Sequence, residues 1–399
     1  MTMTTSPNPD RAIIVNDTTL RDGEQTAGVV FHLDEKIAIA GALARAGVPE
    51  IEVGIPAMGP EECEGIAAIA ALNLDTRLIA WCRMTDQDIE AAKACRVPMV
   101  NISIPVSDLQ LAAKLRQDRA WALPHIETMI KKALDAGFQV SVGGEDSSRA
   151  DPEFLLRVVE TCERAGARRF RFADTMGIME PFGVFDITSR LRSATGIELE
   201  VHCHDDLGLA TANSLAAVRG GATHVSTTVN GLGERAGNAP LEEVVVALDH
   251  LYGFRTGVDK RSLASVSKLV ASASGRPVAA NKSIVGDAVF THESGIHVSG
   301  LLRDRRTYES LDPRELGRDH RVVLGKHSGI TSVRHACHEM GIDLDDADAR
   351  AVLALVRDHA ARTKQAPNGD DLLRFITAAA VSHPASNRFA PNQFTQFTM

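Results

Sequence analysis

The sequence has few aromatic residues, an excess of acidic over basic side chains and no long apolar run. Phe, Trp and Tyr make up 4% of its 399 residues, which leaves little for the stacking platforms that bind single-stranded nucleic acid. The formal net charge of -9 also argues against a nucleic-acid-binding protein, because such a protein needs a basic face for the phosphates. No stretch approaches the roughly 20 apolar residues of a transmembrane helix. We therefore expect neither nucleic acid nor a membrane as a partner.

The six cysteines are scattered along the chain and include no C-x-x-C pair. This spacing predicts neither a disulfide framework nor a zinc finger. The N-terminal stretch is small and polar, and it lacks the apolar core of a secretory signal. Since free thiols persist in a reducing compartment, we expect the protein in the cytoplasm.

Short apolar runs alternate with helical patterns eight times between residues 12 and 252. This alternation predicts a parallel sheet covered by helices. Eight units in this length fit a closed (β/α)8 TIM barrel, whose typical size is about 250 residues. A doubly wound open sheet is the alternative, but it usually has a glycine-rich phosphate turn after its first strand, which this sequence lacks. The eight predicted strands are 12–16, 50–55, 77–82, 99–104, 139–143, 168–173, 199–202 and 223–229.

Residues that start and stop helices support this alternation. Asp34 is predicted to cap the first helix, and Gly47 to end it in the left-handed conformation open to glycine. Asp151 followed by Pro152 predicts the start of a later helix, which Gly166 would end.

The alternation stops after residue 256, which predicts a change of architecture there. Residues 259–274 and 331–363 have helical patterns, with loops between them. We expect this extension to be too small and irregular for a core of its own, and to pack on the barrel or on a partner chain. The predicted parts are an N-terminal tail (1–10), the barrel (11–256), a helical extension (257–382) and a loosely ordered tail (383–399).

Polar residues follow nearly every predicted strand. Chemistry in such barrels collects at the carboxyl ends of the strands, so these residues are candidates for an active site. They are Asp22 and Gln25 after the first strand, Glu52 in the second, Arg83 after the third, Ser103 and Ser107 from the fourth, Glu145 and Asp146 from the fifth, Asp174 and Thr175 from the sixth, His202 and His204 from the seventh, and Asn230, Glu234, Arg235 and Asn238 from the eighth.

His202 and His204 suggest a metal site. Residues two apart on a strand point to the same face, so both imidazoles would enter the barrel mouth. With Asp22 as third ligand they would form a site of two histidines and one carboxylate, with open positions for substrate. Such ligands suit divalent Mg, Mn, Fe or Zn. The alternative is that both histidines are hydrogen-bonded barrel residues, but the polar groups at the other strand ends favour the metal site.

Two arginines have double interpretations. Arg21 precedes Asp22, so its guanidinium could clamp a carboxylate or stabilise charge on a keto oxygen. It could equally form an internal ion pair with Glu52 or Asp17. Arg83 is either a surface cation or the partner of a second substrate carboxylate.

Four segments carry longer motifs: LRDG at 20–23 with Gln25 and Lys36, HCHDDLG at 202–208 with Leu199, Ala210 and Ala212, NGLGERAGN at 230–238 and THESGIH at 291–297. Together they resemble the family that includes 2-isopropylmalate synthase, homocitrate synthase and citramalate synthase, a group of metal-dependent barrels. The resemblance implies a Claisen-type condensation of acetyl-CoA with a 2-oxo acid.

The resemblance also implies roles for individual residues and a divalent cofactor, with Mg or Mn expected first and Zn, Fe or Co as alternatives. It further implies a homodimer, in which the extension crosses the interface and serves the neighbouring barrel. The implied roles are metal binding for Asp22, His202, His204 and Asn238, stabilisation of the developing alkoxide for Arg21, binding of the C1 carboxylate for Thr175, and handling of the enolising proton for Glu145, His297 and Tyr308.

Segments 53–59, 80–83 and 105–108 look most like homocitrate synthases of the nitrogen-fixation branch. This implies 2-oxoglutarate as substrate, with Arg83 as the cation for its distal carboxylate, and a product for the nitrogenase cofactor rather than for lysine synthesis. Lysine-pathway homocitrate synthases, however, have an arginine where this chain has Ser141. Synthesis of 2-isopropylmalate or citramalate therefore stays open, although we expect no regulatory domain of the kind common in feedback-inhibited isopropylmalate synthases. A catalytically silent barrel is the remaining alternative.

Overall fold

The structure, a computed structural model, describes residues 12–382, and the predicted tails 1–10 and 383–399 lie outside this part. Within it, eight parallel strands pair in sequence order and β8 pairs with β1, which confirms the closed TIM barrel. Each predicted strand is present, with ends shifted by a few residues. The strands are β1 (Ile14–Asp17), β2 (Glu50–Glu52), β3 (Arg77–Arg83), β4 (Met99–Pro105), β5 (Gln139–Glu145), β6 (Arg169–Asp174), β7 (Glu198–Cys203) and β8 (His224–Thr227).

Helices connect the strands. None of the helices in the described residues is long and apolar enough to cross a membrane. Those of the barrel unit are α1 (Leu33–Arg45), α2 (Pro60–Ala70), α3 (Asp86–Lys93), α4 (Asp108–Gln110), α5 (Arg119–Asp135), α6 (Pro152–Ala165), α7 (Pro181–Ala194), α8 (Ala210–Arg219), α9 (Leu241–Tyr252) and α10 (Leu263–Ser274).

The predicted helix ends are confirmed for α6 but not for the start of α1. The Asp151 side chain accepts a hydrogen bond from the Phe154 N–H, and Gly166 ends α6 in the left-handed conformation, as predicted. The prediction that Asp34 caps α1 was wrong, because the helix begins at Leu33 and its N-cap is His32. The Glu35 carboxylate accepts from the backbone N–H of His32 at 2.8 Å, which caps the helix two residues earlier than predicted.

The barrel interior below the mouth is charged. Arg169 on β6 is fully buried, and its guanidinium lies 2.7 Å from Glu50 and 3.1 Å from Glu200. Arg171, two residues further on, contacts Glu52 at 2.7 Å. Most barrels fill this space with branched apolar side chains. Here the cost of burying charge is offset by pairing each cation with carboxylates from β2 and β7.

The described residues form two compact units, which divide after Gly286. The prediction that the extension lacks a core was wrong. Side chains of α12, α13 and α14 pack together at helical spacing, as Ala349, Val352 and Val356 show. The second unit contains β9 (Thr291–His292), α11 (Gly295–Arg303), β10 (Arg321–Val322), α12 (Ile330–Glu339), α13 (Asp346–Thr363) and α14 (Gly369–Ser382).

Candidate active site

A single π-helical turn, Thr19–Gly23, follows β1 and carries the first site residues. The Asp17 carboxylate accepts from the Thr19 N–H at 2.9 Å, and the Thr18 hydroxyl accepts from the Asp22 N–H at 3.4 Å. These bonds fix the turn at the barrel mouth. As a result, the side chains of Arg21 and Asp22 are both buried rather than directed to solvent.

Asp22, His202 and His204 converge on one point. The two Nε2 atoms of the histidines lie 3.3 Å apart. Asp22 Oδ2 lies 3.4 Å from Nε2 of His202 and 4.0 Å from Nε2 of His204. All three ligand atoms lie within 4.8 Å of one another, so a single ion could contact them together. The structure thus brings together the three residues that the sequence singles out.

The protonation states of His202 and Asp22 suit the binding of a cation. Burial lowers the pKa of His202 to about 3, so its ring is neutral and can offer a lone pair. Its Nδ1 lies 3.0 Å from the Ser226 hydroxyl, which can hold the proton on that nitrogen and leave Nε2 free. Although burial opposes it, the charge of Arg21 and the hydrogen bond from Asn238 hold the pKa of Asp22 well below its usual range. Two nitrogens and one carboxylate without thiolate suit Mg, Mn, Fe or Zn.

Asn238 lies against this cluster. Its Nδ2 donates to Asp22 Oδ2 at 2.8 Å and to the backbone oxygen of Leu232 at 2.9 Å. Its Oδ1 is buried and has no hydrogen-bond partner in the described part of the chain. Asn238 therefore orients Asp22 and offers one further oxygen beside it.

Arg21 is held between two carboxylates. Its Nε lies 2.5 Å from Glu52, and one terminal nitrogen lies 2.7 Å from Asp22. Burial alone would raise the pKa of Glu52, but Arg171 and Arg21 lower it to about 2. The guanidinium also lies 5.6 Å from the ring of Trp81. The predicted ion pair with Glu52 therefore fixes Arg21 beside the cluster, where it can meet a substrate oxygen.

Glu145 and Thr175 line the same cavity of about 220 Å³ as the histidines and Asp22. The ammonium of Lys114 contacts both oxygens of Glu145, at 2.6 and 2.8 Å. The Thr175 hydroxyl accepts from the backbone N–H of Asp146 at 2.8 Å, which leaves its own proton for a ligand. Both residues thus present polar groups to a small molecule in the cavity.

Three residues of the predicted site do not lie with the cavity residues. Arg83 has 58% of its side chain exposed, bonds Asp88 at 2.8 Å, and is not among the described residues that line the cavity. His297 and Tyr308 belong to the second unit, where their rings stack at 4.3 Å. The substrate role of Arg83 and the catalytic roles of His297 and Tyr308 stay predictions.

Several cavity residues have no place among the predictions. Arg171 was detectable, because β6 reads Arg-Phe-Arg-Phe, and such alternation puts both arginines on the inner face. Asn101 occupies an inward position of a predicted strand without any chemical motif to mark it, and Trp81 entered only as part of the segment 80–83. Lys114 follows the short helix α4 in a second turn, and nothing in its neighbourhood signals that it reaches Glu145.

Comparison with known proteins agrees with this architecture. Residues 12–270 match the HMGL-like family, and residues 284–364 match the homocitrate synthase post-HMGL domain-like family. Homocitrate synthase 1 of Nostoc sp. is 49% identical over 94% of this chain and 99% of its own length. The 2-isopropylmalate synthase 2 of Caldanaerobacter subterraneus is 46% identical over 89% of this chain and 93% of its own length.

Among solved structures, the HMG-CoA lyase of Bacillus subtilis is similar with a TM-score of 0.61 and 21% identity. The similarity covers 68% of this chain and 96% of the lyase, and it supports the barrel fold alone. With both family matches and relatives near half identity along its length, the chain belongs to the HMGL-like family of barrels, in the group that carries the homocitrate synthase type of second domain.

Proposed function

We propose that this chain is a homocitrate synthase, which condenses acetyl-CoA with 2-oxoglutarate to homocitrate and CoA. The observation that carries the proposal is the convergence of Asp22, His202 and His204 beside Arg21 in one cavity. A relative named homocitrate synthase, 49% identical over 94% of this chain, supports it.

The site residues have different roles, which follow from their positions. A divalent cation held by Asp22, His202 and His204, with Asn238 beside them, would supply Lewis acidity to the keto group of the 2-oxo acid. Arg21 stabilises the negative charge that develops on the keto oxygen, because its guanidinium is fixed in place before the reaction. No reorganisation of this group is then needed as the charge forms.

The condensation needs proton transfers as well as charge stabilisation. A proton leaves the methyl group of acetyl-CoA, the new carbanion bonds to the keto carbon, and the keto oxygen takes up a proton. Water then cleaves the thioester and CoA leaves. We assign the proton transfers to Glu145, which Lys114 orients, and to His297 with Tyr308. In this proposal the last two act on the barrel of a second copy in a homodimer, and the resemblance supports that assignment.

A panel of 2-oxo acids tests the function. With acetyl-CoA and Mg or Mn, we expect kcat/KM for 2-oxoglutarate to exceed that for 2-oxoisovalerate or pyruvate by about tenfold or more. Thiol release measures turnover, and reactions without a 2-oxo acid control for simple thioester hydrolysis. A preference for 2-oxoisovalerate would instead support a 2-isopropylmalate synthase, the second candidate, which the 46% identical relative favours. No turnover on any acid would point to the silent barrel.

Within this proposal, the homocitrate serves a nitrogenase cofactor. The support is the resemblance of segments 53–59, 80–83 and 105–108 to the nitrogen-fixation branch. Disruption of the gene should therefore impair nitrogen fixation, with rescue by added homocitrate. A requirement for lysine instead would contradict this assignment.

A further inference from the structure

Two cysteine thiols lie beside the same backbone oxygen, between the helices that follow β2 and β3. All six cysteines of the chain lie in the described residues, and none of them forms a disulfide. The Cys63 sulfur on α2 lies 3.9 Å from the carbonyl oxygen of Ala91 on α3. The Cys95 sulfur, just beyond the end of α3, lies 3.8 Å from that same oxygen. The fold therefore brings these two thiols together from separate elements.

The two thiols differ in their exposure to solvent. Cys63 is partly exposed, whereas Cys95 is fully buried. Burial and the neighbouring Cys63 thiol raise the pKa of Cys95 to about 12. A small oxidant in solvent therefore meets Cys63 first, while Cys95 waits beside it. An accessible thiol next to a second, resolving thiol is the usual arrangement of a redox-sensitive cysteine pair.

The start of α2 also holds one wall of the active-site cavity. The Cys63 thiol donates to the carbonyl oxygen of Pro56 at 3.3 Å, and the Glu62 carboxylate accepts from the Ile55 N–H at 3.2 Å. Ile55 lines the cavity, and Glu52 lies three residues before it at the end of β2. The position of Cys63 therefore bears on the segment that directly follows a buried site carboxylate.

A bond between the two thiols would disturb this segment. The sulfurs of a disulfide lie ~2.05 Å apart, so the start of α2 would have to move toward Cys95. Cys63 would also lose the proton that it donates to Pro56. Because small misplacements of positioned groups slow an enzyme strongly, we expect catalysis to fall when this bond forms.

We propose that Cys63 and Cys95 form a reversible disulfide when the protein meets a peroxide, and that this bond slows catalysis. The Cys63 sulfur attacks one oxygen of hydrogen peroxide, the O–O bond breaks, and a sulfenic acid and one water result. The Cys95 sulfur then attacks the Cys63 sulfur, the S–O bond breaks, and a second water leaves. The two thiols lose two electrons and two protons, which the waters take up. A dithiol reverses the reaction by thiol–disulfide exchange.

A peptide map of the natural protein tests the bond itself. The full chain with Mg, which is not redox-active, is treated with hydrogen peroxide, alkylated and digested with trypsin. Cleavage after Arg and Lys places Cys63 in the peptide 46–77 and Cys95 in the peptide 94–96. We expect mass spectrometry to find these two peptides joined after peroxide, and separate again after dithiothreitol.

Three results of this map would overturn the proposal. The first is a link from Cys63 to the peptide 78–83, which carries Cys82. The second is a link between two chains, which a non-reducing gel detects as a covalent dimer. The third is sulfinic acid at Cys63, or an unmodified thiol there, with no link to Cys95.

Activity before and after oxidation tests the effect of the bond. This readout rests on the proposed function, and it follows the loss of the thioester after gel filtration has removed peroxide and reductant. We expect peroxide to lower kcat/KM by about 3- to 10-fold and dithiothreitol to restore it. Methionine sulfoxide is not reduced by dithiothreitol, so the recovery separates the disulfide from methionine damage. A complete link with unchanged activity would overturn the proposal.

Variants attribute the effect to this pair. Cys63→Ser keeps a donor for the Pro56 oxygen but cannot form the disulfide, so it should start near the natural activity and ignore peroxide. Cys337→Ala, which removes a buried thiol from the second unit, is the matched control and should respond to peroxide as the natural protein does. An equal response of Cys63→Ser and the natural protein would refute the proposal. If Cys63→Ser does not fold, the peptide map of the natural protein decides.

The two readouts separate this proposal from the proposed function. If the natural protein prefers another 2-oxo acid, the proposed function fails and the effect of peroxide is measured with that acid instead. If no acid is turned over, the peptide map alone decides whether Cys63 and Cys95 join.

Discussion

Replacing Asp22 by asparagine is expected to lower kcat/KM by about 10³-fold or more. The charged oxygen of Asp22 lies 3.4 Å from Nε2 of His202, and a neutral amide in its place holds a divalent cation poorly. Loss of the charge stabilisation that a metal supplies costs several kcal/mol, and about 4 kcal/mol corresponds to this factor. Thiol release at saturating Mn measures the effect. Asp86→Asn, an exposed carboxylate paired with Lys132, is the matched control and should retain full activity.

Removal of the metal should reproduce this loss in the natural protein. Treatment with a chelator should abolish turnover, and added Mn or Mg should restore it and raise the melting temperature. Binding at 100 times the dissociation constant stabilises a fold by about 2.7 kcal/mol. Asp22→Asn should show little of this rise. The assignment of Asp22 as a ligand would be contradicted if Asp22→Asn kept its activity within tenfold of the natural protein. It would also be contradicted if the melting temperature of the natural protein did not rise when metal is added.

Replacing Arg169 by methionine is expected to reduce the free energy of unfolding by about 3–5 kcal/mol. The guanidinium is fully buried and bonds Glu50 at 2.7 and 2.9 Å. Removing one partner from a buried ion network leaves uncompensated charge in the interior, which is the reason for so large a loss. Urea denaturation measures it. The neighbouring Arg168→Met is the control, since Arg168 pairs with Glu198 in a half-exposed site and should cost about 0–1 kcal/mol.

The cost of Arg169→Met should also depend on pH. Burial alone would raise the pKa of Glu50 and Glu200, but Arg169, with Arg171 at Glu200, holds both below the ordinary 4.5. Carboxylates with a lowered pKa stabilise the fold above the unfolded pKa, and this contribution is lost as the pH falls through the folded pKa. His224, buried among these groups with a pKa lowered to about 4, is neutral at pH 7. The difference in the free energy of unfolding between Arg169→Met and the natural protein should therefore be largest at pH 7 and shrink below about pH 4.5. An equal loss at pH 7 and pH 4 would show that packing, rather than charge, is responsible.

Local patterns predicted much of the fold. Strands β1 to β8 follow from short apolar runs, and α6 follows from a cap, a proline and a glycine, because these signals act over a few residues. The pair His202 and His204 was predictable for the same reason, since alternation along a strand fixes which side chains share a face. The core of the second unit was missed, because its packed faces appear only when three helices meet.

The sequence by itself determined the barrel, the direction of its strand ends and the residues Asp22, His202 and His204 that meet there. Only the tertiary structure decided which cation meets which anion. It joined Arg83 to Asp88 and Lys114 to Glu145, and left Asn101 unpartnered on the cavity wall. The physical reason is the distance along the chain over which each feature is determined. The alternation of side chains along a strand is set by neighbouring residues. The partners of a long charged side chain depend on strand register and on loops that are distant in the chain.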